Sequence, residues 1–290
     1  GSEMCIRDSD NTGYRSVRFL PMSQSITTHR EDVLVQGEPL AAFIYQPHEP
    51  QSDVVLIHGF TGSKEDFSFI GPLIAERGFR VLTFDNRGQH ESGHSKRADA
   101  YSLSSLGRDV IELSRHFKLQ KPHLLGHSFG GLVAQQAVAL DAQQWKSLTL
   151  MCSGPRGHSN WLEDAQFKNL TNETKEEVWE KILAPERLSN PRFELLRKRW
   201  IASDATSTMA YRDHLRNEKS LIPEIAKELL LAHVIYGEND DAWPLEEQNQ
   251  MARDLNALLS VLPGCGHCPN EDNPKITAEA LIGFWKRGGN

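Results

Sequence analysis

The stretch His123 to Leu132, HLLGHSFGGL, constrains this chain more than any other. An apolar run entered from Pro122 ends in Gly126-His127-Ser128-Phe129-Gly130-Gly131, and a helix leaves through Leu132 and Val133. Ser128 therefore sits on a sharp strand-to-helix turn. Gly126 and Gly130 flank it two residues away on either side, where such a turn presses backbone against backbone and leaves no room for a side chain. The hydroxyl is held out from the chain. The helix starting behind it brings free N–H groups and a positive dipole end to any oxyanion formed there. A glycine-rich turn that only packs a helix closely would have the same spacing, so a catalytic reading needs a base, an acid and an oxyanion donor from elsewhere.

Composition narrows the partners. The 290 residues can bury a substantial core in one large domain or in a domain with an insertion. With 39% hydrophobic and 24% charged residues and a formal net charge of -7, the chain offers nothing to a polyanion or an anionic membrane surface. No run approaches the roughly 18 apolar residues of a membrane span, and the N-terminal residues lack the apolar core of a secretory signal. The expectation is a soluble, cytoplasmic protein with no nucleic-acid partner and no membrane span. Cys5, Cys152, Cys265 and Cys268 show no disulfide-framework spacing, so reduced thiols are expected. Cys265-Gly266-His267-Cys268 matches a C-x-x-C pattern, but it follows a late strand instead of opening a helix early in a thioredoxin-like unit, and no second ligand pair suits zinc.

In chain order, residues 1–30 are polar and irregular, and little order is expected there. Glu31 to Gln46 alternates around Gly37-Glu38-Pro39, predicting two antiparallel strands joined by a turn. Asp53 to His58, DVVLIH, is apolar and β-branched enough for an interior strand. Past it, the loop His58-Gly59-Phe60 can point the Phe60 N–H toward the crevice that also receives the Phe129 N–H, giving two oxyanion donors. His58 itself reads as structural. A helix is predicted over Phe67 to Gly78, a strand over Arg80 to Phe84, and a helical stripe through Leu103, Leu106, Val110, Leu113 and Phe117. Asp85 reads as fixing the turn that ends its strand. His90 and His94, in the loop that follows, lack the companions of a metal site.

Beyond the elbow, Ser147 to Met151 gives another strand, and the alternation of strand and helix implies a mostly parallel twisted sheet with helices on both faces, an α/β fold. The pattern breaks at Ser153-Gly154-Pro155. Helices are predicted at Thr171 to Leu183 and at Asn190 to Ala202, the latter with Asn190 as N-cap. Aromatics concentrate there: Trp161, Phe167, Trp179, Phe193, Trp200 and Tyr211. Residues 155–229 therefore read as a helical cap inserted between two parts of the core, 31–154 and 230–290, with an inner face that shapes a substrate pocket.

The core resumes at Ala232 to Tyr236, which ends in Gly237-Glu238-Asn239-Asp240-Asp241. A carboxylate just past a strand end can fix a histidine's tautomer and stabilise its imidazolium, and Asp240 is preferred to Asp241 for its strand-end G-x-x-D placement. Leu258 to Leu262 is the last strand, and Pro263-Gly264-Cys265-Gly266-His267 follows it. Histidine's reference pKa, about 6.5, suits taking a proton from Ser128 and returning it to a leaving group. Ser128, Asp240 and His267 thus occur in that order, each at a predicted strand end on one edge of the sheet.

Those motifs, with Asp272 and Pro274 beyond them, resemble the α/β-hydrolase fold superfamily with a helical cap, over nearly the whole length from about Glu31 to Lys286. The resemblance implies catalytic Ser128, Asp240 and His267, an oxyanion hole of Phe60 and Phe129 N–H groups, and no cofactor or metal. One departure stands out: Arg87-Gly88-Gln89-His90-Glu91-Ser92 carries His90 where relatives often have a second glycine. Serine at the elbow argues against dehalogenases and epoxide hydrolases, which carry aspartate there. The leading expectation is a serine hydrolase taking a small-molecule carboxylic ester through an acyl-enzyme. A cofactor-free C–C bond hydrolase, or a lyase like the menaquinone-pathway synthase, whose HGFTGS-like opening resembles Gly59 to Ser63, would need inward arginines such as Arg156, Arg192, Arg197 or Arg199. A third possibility is a ligand receptor that keeps the hydrolase fold.

Overall fold

The computed structural model describes residues 26–158, 174–183 and 188–287. Among them, eight strands form one sheet in the order β1-β2-β4-β3-β5-β6-β7-β8. The strands are β1 (Thr27–Val35), β2 (Glu38–Gln46), β3 (Ser52–Ile57), β4 (Phe79–Phe84), β5 (His123–His127), β6 (Ser147–Met151), β7 (Leu231–Gly237) and β8 (Leu258–Leu262). β1 pairs antiparallel with β2, and β2 with β4; every other pairing is parallel. β5, His-Leu-Leu-Gly-His, lies inside the sheet with all five residues buried, so its sequence does not alternate between apolar and solvent-facing residues. Each fully buried leucine or valine in such a strand contributes about 1.5–3 kcal/mol.

The described helices are α1 (Ile70–Ala75), α2 (Leu103–His116), α3 (Phe129–Leu140), α4 (Lys175–Val178), α5 (Phe193–Ala202), α6 (Ala205–Asn217), α7 (Ile222–Ile225), α8 (Leu245–Asp254), α9 (Pro269–Asp272) and α10 (Pro274–Arg287). Leu103, Leu106, Val110 and Leu113 are buried as their spacing predicts, Phe117 is half-buried just past the helix, and Ser102 caps α2 by accepting the Ser105 N–H at 3.2 Å. α3 follows β5 with a single residue, Ser128, between them. β6 and β7 are separated by the long insertion, and its described part contains helices and turns but no strand.

Several local expectations need correction. The N-terminal irregular segment does not extend to Arg30, because Thr27 to Arg30 pair with Gln46 to Phe43 and form the polar, exposed start of edge strand β1; residues 1–25 lie outside the described residues. The helix expected over Phe67 to Gly78 is a 3-10 turn at Lys64–Phe67 followed by the short α1, closed by Gly78 at φ +87°. Asn190 is not the N-cap of α5. Its Oδ1 accepts the Arg192 N–H at 2.8 Å, forming a local turn ahead of the helix, and Arg192 takes the cap position. Thr174 caps α4 in a capping box with Glu177, and the chain then widens into a π turn at Trp179–Leu183. Trp161, Phe167 and residues 171–173 of the expected helix lie outside the described residues.

Candidate active site

Ser128 is the hinge between β5 and α3. Its backbone adopts φ 54° and ψ -119°, a left-handed conformation that costs a non-glycine residue about 1–3 kcal/mol. Surrounding bonds enforce it. The Ser128 N–H donates to the Met151 carbonyl at 2.9 Å, and the Ser128 carbonyl accepts from the Gly131 N–H and the Ser153 Oγ, each at 2.8 Å. A Cβ on Gly126 would land on the Gly130 backbone, and one on Gly130 would land on the Ile57 carbonyl. Both glycines are therefore obligatory for the close approach of elbow and strand.

The predicted partners meet here. His267 Nε2 lies 3.0 Å from Ser128 Oγ, and His267 Nδ1 lies 2.8 Å from Asp240 Oδ1. Asp240 is buried just past β7, whereas Asp241 is exposed. Asp240 also accepts from the Ala242 N–H at 3.1 Å and from Gln248 Nε2 at 3.0 Å. Burial alone would raise its pKa, but the hydrogen bond and charge of His267, with the donors from Gln248 and Ala242, outweigh that and hold the carboxyl below its ordinary range. Gln248 has no sequence signature that would have singled it out. The His267 loop is further tied by the Gly266 N–H to Asp272 Oδ2 at 2.8 Å.

Phe129 is the first residue of α3, so its N–H belongs to the unsatisfied first turn of a helix. The Gly59-Phe60 loop abuts the same spot, since a Cβ on Gly59 would lie 3.1 Å from Ser128 Cβ. Phe60 packs against the core and also against the insertion's cluster of Val178, Trp179 and Trp200. The Phe129 ring stacks on Tyr211 of α6 at 4.8 Å, and the Tyr211 hydroxyl donates to the Arg87 carbonyl. The insertion thus touches the elbow and the loop after β3 through aromatic rings.

His58 is fully buried and structural in its bonding. Its Nδ1 lies 2.9 Å from the Gly59 carbonyl, and its Nε2 accepts the Asn86 N–H at 3.1 Å. Asp85 does more than fix a turn. Its carboxylate receives the Lys64 N–H at 2.7 Å and Lys64 Nζ at 2.8 Å, pairing with a lysine side chain that has no exposed surface. His90 adopts φ 47°, the left-handed conformation a glycine would take at that point, and its N–H donates to Ser203 Oγ at 3.0 Å.

Among the described residues, two groups of side chains bring potential ligand atoms within 4.8 Å of one another: His127, Cys152 and His267, and Glu65, His90 and Glu91. In the second, Lys64 Nζ already sits between the carboxylates, 3.0 Å from Glu65 and 2.9 Å from Glu91. His94 is in neither. Burial pushes the Cys268 thiol up to about 12 and raises those of Cys152 and Cys265, which keeps all three in the unreactive thiol form.

Comparisons with known proteins agree with the fold. A family model described as "Alpha/beta hydrolase family" matches residues 54–280. A Haemophilus influenzae protein designated, provisionally, an esterase/lipase is 23% identical over 254 residues, covering 83% of this chain and 87% of that protein. A dihydrolipoyllysine-residue acetyltransferase component of the acetoin cleaving system of Pseudomonas putida is 37% identical over 112 residues, but the match spans 38% of this chain and only 29% of that protein. Among solved structures, the enol-lactonase from Burkholderia xenovorans superposes with a TM-score of 0.76 at 20% identity, covering 88% of this chain and 100% of that one. With a family model matched from the interior strand β3 into α10, the chain belongs to the α/β-hydrolase family.

Proposed function

We propose that this protein is a serine hydrolase that cleaves a small to medium carboxylic ester through an acyl-enzyme. The observation that carries the reading is the unbroken chain from Ser128 Oγ through both nitrogens of His267 to Asp240. Ser128 Oγ attacks the ester carbonyl carbon while His267 Nε2 takes its proton. Asp240 holds the Nδ1–H, which leaves the Nε2 lone pair facing Ser128 and stabilises the imidazolium. The Phe60 and Phe129 N–H groups receive the oxyanion. The imidazolium protonates the departing alcohol, and His267 then activates the water that releases the acid. Residues 155–229 serve as the cap, with Trp179 and Trp200 packed toward Phe60.

The synthase-like alternative needs arginines free to hold an acidic substrate. Arg192 pairs with Glu271, Arg199 with Asp66, Arg156 with Glu247 at 3.2 Å, and Arg197 lies 3.8 Å from Glu180. This supports the neutral-ester reading. A fluorophosphonate probe tests it: intact mass should rise by one adduct that maps to Ser128. Failure to label, or labelling elsewhere, would count against it, and labelling without ester turnover would favour a receptor.

A further inference from the structure

His127 precedes the serine and takes no part in the proton transfers above, yet its side chain reaches the loop that carries the base. It is the last residue of β5 and is 5% exposed. Its Nε2 lies 2.8 Å from the backbone carbonyl oxygen of His267, a contact across 140 residues of sequence, and the two rings are 5.1 Å apart at 42°. A carbonyl oxygen only accepts, so Nε2 carries the proton and Nδ1 is left with a lone pair. Burial, reinforced by the nearby charge of His267, pushes the His127 pKa down to about 4, which keeps the ring neutral and in one tautomer at neutral pH.

The other edge of the ring is equally confined. Nδ1 is buried with no hydrogen-bond partner among the described residues. A Cβ on Gly59 would lie 3.3 Å from it, so the imidazole is seated against the loop that leads to Phe60. One side chain therefore spans from the end of the nucleophile strand to the loop after β3 and to the loop after β8. Other bonds hold the residues on either side of His267: Gly266 N–H to Asp272 Oδ2 at 2.8 Å and Asn239 N–H to the Cys265 carbonyl at 2.9 Å before it, and the Glu271 and Asp272 N–H groups to the Cys268 carbonyl, each at 2.9 Å, after it. The contact from His127 bonds His267 itself.

We propose that His127 is a positioning residue: its Nε2–H grips the His267 carbonyl and sets the distance of the His267 imidazole from Ser128. This rests on the serine hydrolase reading for its catalytic consequence but not for its geometric one. A rigid two-torsion side chain suits the task, because it spends little rotamer entropy in holding one donor in place. Losing that donor removes the bond that fixes the His267 carbonyl, and a displacement of about 1 Å between base and nucleophile costs on the order of 100-fold in rate.

The test compares His127→Phe, which keeps a ring but no donor, His127→Asn, which is too short to reach, and His127→Gln, which restores an N–H at about the original reach. With p-nitrophenyl butyrate, kcat should fall about 10- to 100-fold in the Phe and Asn proteins with KM within about twofold of wild type, and recover most of that loss in the Gln protein. Proton NMR gives an independent readout. The downfield resonance of the His267 Nδ1–H bonded to Asp240 should weaken in Phe and Asn and persist in Gln. Wild-type kcat and an unchanged resonance in the Phe protein, or a Gln protein no better than Phe, would overturn the proposal. If wild type turns over no ester, the serine hydrolase reading fails, and the resonance alone still decides the role of His127.

Discussion

Nδ1 of His267 lies 2.8 Å from Oδ1 of Asp240, while Asp241, its neighbour in the chain, is exposed to solvent. Two adjacent aspartates of the same turn therefore have opposite environments. Asp240→Asn keeps the shape but turns an acceptor into an ambiguous amide, which favours the wrong histidine tautomer. kcat on p-nitrophenyl esters should drop about 10³- to 10⁴-fold. Asp241→Asn should stay within about twofold of wild type, and a larger loss there than at Asp240 would reverse the assignment.

Lys175 tests the energetics of the insertion. Its ammonium sits 3.9 Å from the Trp200 ring centroid and donates to the Trp200 carbonyl at 3.0 Å and to Thr208 Oγ1 at 2.9 Å. Burial pulls its pKa from the ordinary 10.5 down to about 7. Between those two values the unfolded chain holds the proton and the folded one does not, so stability rises with pH across that window, and below about 7 the charged form is a burden on the fold. Lys175→Met should raise Tm at pH 7, by the equivalent of about 1–2 kcal/mol, and flatten the rise of stability from pH 7 toward 10. A variant that melts earlier with an unchanged pH slope would contradict this.

Glycines separate elbow geometry from ordinary helix propensity. Gly126→Ala would drive a methyl into the Gly130 backbone and should cost more than about 3 kcal/mol or prevent folding. Gly283→Ala, in α10 with nothing within 4 Å of the new methyl, should stabilise by about 0.5–1 kcal/mol. Chemical denaturation of both variants gives the comparison, and equal effects would undo the argument that the turn demands glycine.

The strands and the edge on which the site lies were legible because burial on both faces writes apolar runs, as in Val54 to Ile57 of β3, and because glycines mark the places where Ser128 and His267 turn toward the crevice. The buried Lys64 was not legible. Besides the adjacent Glu65, its partners Asp85 and Glu91 lie 21 and 27 residues further along, and a neighbouring glutamate alone does not distinguish it from a solvated lysine. Asn190 misled for a related reason, since an asparagine that serves an N-cap serves a preceding turn equally well and only the backbone decides. Nothing near His127 in the sequence marks its bond to His267, which depends on a loop 140 residues away.

The most direct test of the central claim is the steady-state hydrolysis of p-nitrophenyl acetate and butyrate by wild type and by Ser128→Ala, with a matched circular dichroism spectrum for each. Wild type should turn the esters over, and Ser128→Ala should retain the fold and lose nearly all of the rate, on the order of 10⁴-fold or more. Equal rates in the two proteins would contradict the assignment of Ser128 as the nucleophile.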